Sequence, residues 1–277
     1  MSPQTGYADF AAVSVVIPCF RCARTIQRAI DSVLQQTQKP AEIILVDDAS
    51  DDETLSVLRE LERQYASWIK VIALNENSGV ASARNAGWSV ATQLYVAFLD
   101  SDDAWHPQKI EIQYNYMCQH PEVVLCGHAH RILKKKNELP HWAVTSQVEA
   151  EQISKWSMLL SNKFVTPSVM LCCDVKQRFV ERQRHMEDHM LWLEIVCGGG
   201  TATKLPAELA AIYKSPFGEA GLSSQIWLMG KSDLNNYQRL YRMGYLNFGQ
   251  GLLLGLYSLI KFMRRLFIYW GYIRWRK

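Results

Sequence analysis

The feature that most constrains this chain is an alternation, repeated through its first hundred residues, of short apolar runs with segments of helical spacing. Val13–Ile17 (VSVVI) is a β-branched run closed by Pro18, which reads as a buried strand. In the next segment, Thr25–Gln36, the apolar positions Ile26, Ala29, Ile30, Val33 and Leu34 fall on one helical face. Glu42–Val46 (EIILV) gives a second strand ending at Asp47-Asp48. Ser50 with Glu53 three residues on reads as a capping box opening a helix that runs to about Tyr65. Ile69–Ala73 gives a third strand, Gly79–Val90 a helix of small residues, and Leu94–Leu99 (LYVAFL) a fourth strand. Strands and helices in alternation predict a mostly parallel sheet covered by helices on both faces. Such sheets bind ligands beyond the carboxyl ends of their strands. The acids gather at those ends: Asp47 and Asp48 after strand two, Asp100-Ser101-Asp102-Asp103 after strand four.

The second half is less regular. Val123–Cys126 and Val165–Cys172 read as strands, Arg131–Glu138 as a basic solvated turn, and Glu187–Val196 as a helix that Gly198-Gly199-Gly200 ends. The chain of 277 residues has room for one large α/β domain and an appendage. A net charge of +3 is too small to argue for nucleic acid, and no nucleic-acid partner is expected. The seven cysteines are odd in number and irregular in spacing, so reduced thiols are expected rather than a disulfide framework. Cys19 and Cys22 form a C-x-x-C, read as a loop after a strand for want of a second pair. His128 and His130 lack a third ligand at suitable spacing and read as alternate strand positions. The N-terminus has no basic-then-apolar leader pattern, so no signal peptide is expected.

Taken alone, Asp100–Asp103 admits two readings. Carboxylates about 4 Å apart repel by roughly 4 kcal/mol at an effective dielectric near 20, unless a cation joins them. Oxygen-only ligands suit Mg²⁺ or Mn²⁺. The other reading is a set of acids at a helix start, favoured by the helix dipole.

Four ordered segments carry a resemblance. VSVVIPCF, EIILVDDASDD, NSGVASARNAG and YVAFLDSDDAWHP resemble, in order and spacing, the donor half of inverting glycosyltransferase family 2, which has the GT-A fold. The resemblance covers Val13–Gln119 strongly and continues weakly to about Lys214. It implies an α/β fold with a Rossmann-like, mixed, mostly parallel sheet and a metal-dependent hexosyltransferase active on a nucleotide-sugar, with UDP as the nucleotide. Pro18 and Phe20 in the turn after strand one would line the nucleoside pocket. Asp48 would accept from the uracil N3–H, with Asp47 as support. Arg84 would face the base or diphosphate. Asp100 and Ser101 would lie along the donor, Asp102 would bind Mn²⁺ or Mg²⁺ with Asp100 beside it, and Asp103 would stand behind. His185-Met186-Glu187-Asp188 resembles the family's acidic pair: Asp188 would be the general base, and Glu187 would orient the site. Trp192 would pack beneath an acceptor sugar, or else belong to the core.

The implied domain spans residues 1–215, with a donor half at about 11–120 and an acceptor half at about 121–215. Residues 216–277 are expected to form a helical tail. Within 248–277, Lys261, Arg264, Arg265, Arg274, Arg276 and Lys277 interleave with Trp, Tyr, Phe and Leu. This pattern suits an amphipathic helix lying on a membrane surface better than one crossing it. Each cation near an anionic leaflet is worth about 1 kcal/mol. The expected setting is peripheral, on the inner face of the cytoplasmic membrane. The expected acceptor is a polyprenyl-diphosphate-linked or other glycan, in O-antigen, capsule or exopolysaccharide assembly. A polyprenyl-phosphate acceptor and a non-catalytic scaffold of the same fold are the competing readings. With no Q-x-x-R-W pattern, one sugar per encounter is expected.

Overall fold

The computed structural model describes residues 10–133, 142, 149–213 and 226–275. Among the described residues nine strands form one sheet, in the order β3 (Ile69–Ala73), β2 (Lys39–Asp47), β1 (Phe10–Cys19), β4 (Tyr95–Phe98), β8 (Met170–Cys172), β6 (Val123–Leu133), β9 (Thr201–Tyr213) and β5 (Ala104–Trp105), with β7 (Glu151–Gln152) beside β9. The first half follows the alternation read from the sequence. It runs β1 (Phe10–Cys19), α1 (Ile26–Leu34), β2 (Lys39–Asp47), α2 (Thr54–Gln64), β3 (Ile69–Ala73), α3 (Val80–Ser89) and β4 (Tyr95–Phe98). Strand β1 pairs in parallel with β2 and β4, and β2 in parallel with β3.

Alternation along these strands sends side chains to two cores. Val15, Ile17, Ile43 and Leu45 pack on one face with Ile26 and Ile30 of α1 and Leu58 of α2. Val16, Ile44 and Val46 pack on the other with Ala83 and Trp88 of α3. Helix α3 lies very close to the sheet. A Cβ built on Gly87 would sit 2.4 Å from Val16 Cγ1, so only glycine fits there.

The second half is antiparallel and mixed. It contains β5 (Ala104–Trp105), α4 (Lys109–Gln119), β6 (Val123–Leu133), β7 (Glu151–Gln152), α5 (Lys155–Leu160), β8 (Met170–Cys172), α6 (Glu187–Cys197) and β9 (Thr201–Tyr213). Two helices follow, α7 (Ile226–Arg242) and α8 (Phe248–Trp275).

Several expectations are corrected. Ser50 does not cap α2: Asp52 Oδ1 accepts from Thr54 N at 3.0 Å, while the Ser50 hydroxyl accepts from Arg21 N at 3.1 Å. The strand expected over 165–172 is a 3₁₀ turn at Thr166–Ser168 and then the short β8, because Pro167 withholds a ladder donor. Arg131–Leu133 extends β6 instead of turning; residues 134–138 lie outside the described residues. Helix α4 and strand β9 had no counterpart in the sequence reading, while α7 and α8 fall within the stretch read as a helical tail.

Candidate active site

A cleft of about 730 Å³ opens at the carboxyl ends of β1, β2 and β4. In the order β3-β2-β1-β4 the chain reverses its direction of travel across the sheet between β1 and β4, so a crevice forms there. Its volume is in the range of small-molecule sites. Pro18, Phe20, Asp48, Arg84, Asp100, Ser101, Asp102, Glu187 and Asp188 all line it. Residues more than 100 positions apart in the sequence therefore meet in one space.

On the donor-like side, Asp48 is buried and holds the start of α3. Its Oδ1 accepts from Ser78 N at 2.8 Å and its Oδ2 from Gly79 N at 2.9 Å. Gly79 has φ +86, a conformation that favours glycine, and this turns the two amides toward the carboxylate. Each carboxylate oxygen retains a second acceptor direction for a ligand N–H. Asp47 is buried behind it and is not part of the cleft wall; its Oδ2 accepts from Ser50 N at 3.2 Å. Its role is support of the turn. Phe20 is half-exposed at the mouth. Beside it, Arg21 forks onto Asp51 through Nε at 2.6 Å and a terminal nitrogen at 2.5 Å.

Arg84 joins the two halves. It projects from α3, buried, with one terminal nitrogen 2.7 Å from Asp100 Oδ1 and the other 3.1 Å from Glu187 Oε1. Its guanidinium carbon lies 5.3 Å from the centre of the Phe179 ring. Burial works against its charge, but Asp100 and then Glu187 outweigh burial and raise its pKa. Glu187 is pushed up, first by burial and then by the neighbouring charge of Asp188, with Arg84 opposing. Asp188 Oδ1 accepts from His189 N at 2.6 Å and its Oδ2 from Asn162 Nδ2 at 3.2 Å. Both acids open α6, where the helix dipole favours negative charge.

The four-residue acidic segment divides its labour. Asp100, Ser101 and Asp102 face the cleft. Asp103 is fully buried and turns away, its Oδ1 accepting from Tyr213 N at 3.0 Å and so fixing the end of β9. Among the described residues, no group of three or more His, Cys, Asp or Glu side chains could hold a metal ion. A hard cation carried in on a diphosphate needs only one or two carboxylates, and the oxygen-only set Asp100-Ser101-Asp102 fits that chemistry.

Trp192 is corrected. It is fully buried, packs edge-on to Phe179 at 6.0 Å, and does not line the cleft. Position 192 lies one helical turn deeper than Asp188, in the part of α6 that is buried all round from His189 to Val196. The sequence reading missed Asn77, Asn162, Thr166 and Arg184. Asn77 lies just before Gly79 in a segment already singled out, and its Nδ2 donates to Asp48 O at 3.1 Å. Arg184 is an exposed cation on the cleft wall four residues before Asp188, and no periodicity marks it. His128 is buried in β6 with Nδ1 2.7 Å from Ala129 O, in keeping with a strand position.

The sheet order, the crevice at the β1/β4 switch and the acids on its walls define a GT-A fold. The chain belongs to glycosyl transferase family 2, whose model matches residues 14–174. A UDP-Glc:alpha-D-GlcNAc-diphosphoundecaprenol beta-1,3-glucosyltransferase from Escherichia coli, WfaP, is 30% identical over 190 residues, covering 68% of this chain and 71% of that protein. An uncharacterized glycosyltransferase from Nostoc is 44% identical over 99 residues, which are 36% of this chain and 30% of that protein. The chain thus spans under a third of that relative's length. Among solved structures, Staphylococcus aureus TarS 1-349 in complex with UDP-GlcNAc superposes with TM-score 0.65 at 18% identity, covering 82% of this chain and 65% of that one. At that identity the likeness is one of fold.

Proposed function

We propose that this chain is a metal-dependent, inverting glycosyltransferase that moves one sugar from a UDP-sugar to a hydroxyl of a polyprenyl-diphosphate-linked glycan. The observation that carries the reading is the convergence of Asp48, the Arg84–Asp100 pair, Asp102 and the Glu187–Asp188 pair on one cleft. Asp48 receives the uracil N3–H, its carboxylate already fixed by two backbone amides. Phe20 and Pro18 wall the nucleoside. Asp102, with Asp100, would hold Mn²⁺ or Mg²⁺, which neutralises charge developing on the leaving diphosphate.

Asp188 takes the proton of the acceptor hydroxyl as that oxygen attacks the anomeric carbon. The bond to the diphosphate breaks on the opposite face, and the electron pair leaves with the nucleotide. Glu187 is tied to Arg84 and keeps the donor and acceptor sides in register. A general base of this kind is worth about 10²–10⁴ in rate. The WfaP relative's name describes an acceptor of this lipid-linked class, which supports the assignment.

The tail supports action at a membrane surface. Along α8, Leu252, Leu253, Leu256, Ile260, Met263 and Phe267 are each more than half exposed. No Asp or Glu occurs from 234 to 277, where the sequence carries eight Lys and Arg. Among the described residues, no helix is long and apolar enough to cross a membrane. We read α8 as lying on the inner leaflet of the cytoplasmic membrane.

The test is a panel of nucleotide sugars offered to the full-length protein with and without Mn²⁺. Stabilisation by a UDP-sugar only with metal, and a product of inverted anomeric configuration by proton NMR, are expected. Retention of configuration, or no response to any UDP-sugar, would overturn the reading.

A further inference from the structure

The segment that delivers Asp188 to the cleft is held from behind by α7, through contacts that involve no cleft residue. Met186, the residue before the acidic pair, has φ +57, the left-handed region that a methionine rarely adopts. Such a conformation persists only where surrounding groups enforce it. Asn236 of α7 is one of those groups. It is 2% exposed, and its Nδ2 donates to Met186 O at 3.1 Å. Its Oδ1 accepts from Gln183 Nε2 at 3.1 Å, and the same Gln183 nitrogen donates to His185 O at 2.8 Å. Two side chains thus brace the turn 183–186 on both sides of the strained residue.

The brace continues outward. One turn before Asn236, buried Asp233 sits 3.1 Å from Lys261 Nζ and 3.9 Å from an Arg265 nitrogen, both on α8. Helix α7 also donates from Tyr237 OH to Leu159 O at 2.7 Å, in the last turn of α5, which leads to the Asn162 contact with Asp188.

We propose that Asn236, with Gln183, is a positioning residue for the base Asp188, and that the C-terminal helical pair is part of the catalytic frame as well as a membrane contact. The proposal rests on the reading of Asp188 as base. Displacing a reacting group by about 1 Å can cost about 10²-fold in rate. Donor binding depends on β1, β2, β4 and α3, which Asn236 and Gln183 do not touch; the acidic pair after their turn meets α3 through Glu187 and Arg84.

The experiment compares kcat and KM for the donor, together with UDP–Mn²⁺ affinity, in full-length Asn236→Ala, Gln183→Ala and Asp188→Asn. Asn235→Ala, on the exposed face of the same helix, is the control. The expected result is a fall in kcat of about tenfold or more for Asn236→Ala and several-fold for Gln183→Ala. KM for the donor and UDP–Mn²⁺ affinity should stay within twofold, and Asn235→Ala should match the wild type. Should Asn236→Ala fail to fold, Gln183→Ala alone decides. Wild-type kcat in the foldable variants, with Asp188→Asn inactive, overturns the brace and leaves the base reading standing. Loss of UDP affinity in step with kcat also overturns it, since that would mark general loosening. Full activity in Asp188→Asn overturns the base reading and the brace with it.

Discussion

Asp48 performs two tasks with one carboxylate: it fixes the amides of Ser78 and Gly79, and in the proposed function it reads the base. The two tasks give separable effects. Asp48→Ala should cost about 1 kcal/mol of stability, the usual size of a lost helix cap. Its effect on UDP affinity, measured calorimetrically, should be tenfold or larger, because a charged acceptor is lost from the pocket. A second residue-scale consequence lies away from the cleft. Lys109 is fully buried, its ammonium 3.8 Å from the centre of the Trp105 ring and with no hydrogen-bond partner among the described residues. Burial lowers its pKa to about 7. Between that value and the ordinary lysine range near 10.4, the unfolded chain binds a proton that the native chain does not. Stability from this residue therefore rises with pH across that window, by up to about 1.4 kcal/mol per pH unit, and is lowest below pH 7. Lys109→Met should flatten that part of the profile and stabilise the protein most at pH 6, as followed by urea melts. At this scale the sequence was most legible where a residue type has few uses: the acids at strand ends carried their own signal. Arg184, an isolated surface-type cation, did not.

Elements were legible in proportion to how local their cause is. Strands β1, β2 and β4 are apolar runs largely buried on both faces, the edge strand β3 alternates buried and exposed positions, and helices α1 and α3 show their spacing within ten residues, so the first hundred positions could be read directly. Strand β9 could not. Its sequence TATKLPAELAAIY is rich in helix-forming Ala, Leu and Glu and contains Pro206. It is held as a strand by long-range pairing with β6, which shifts register at His128/Ala129, where Pro206 falls in the partner. Tertiary contacts override propensity there. Helix α3 gives the prediction that belongs to this scale. Gly87→Ala would drive a methyl into Val16 and Val46 of the sheet. The helix must lift, costing about 1–3 kcal/mol. Arg84, one turn earlier, should lose its distances to Asp100 and Glu187. A lowered melting temperature together with weakened donor affinity is the expected pair of readings; an unchanged melting temperature would contradict the close packing.

For the molecule as a whole, two terminal helices connect the proposed donor site and base to a basic, apolar surface. Lys261 and Arg265, read from the sequence as membrane cations, instead point to Asp233 between α7 and α8. Their neighbour Arg264 remains exposed. In the proposed membrane contact the apolar stripe of α8 would then make the larger contribution, and replacing Leu252, Leu256 and Ile260 by Gln should abolish flotation with anionic liposomes. Each buried leucine-sized side chain is worth about 1.5–3 kcal/mol, so retention of full flotation would contradict a surface-lying helix. That function depends on long-range convergence explains why the sequence, unaided by its resemblance, left the acidic segment between two readings. Arg84 and Glu187 stand more than 100 positions apart, and only the fold brings Asp100 and Glu187 each within 3.1 Å of the Arg84 guanidinium. The division of the cleft into a half that binds and a half that reacts is the central claim, and one variant separates them. In Asp188→Asn, measured with a UDP-sugar, Mn²⁺ and a lipid-diphosphate-linked acceptor, transfer should fall by about 10²–10⁴ while UDP affinity stays within threefold of wild type; transfer near the wild-type rate would contradict the claim.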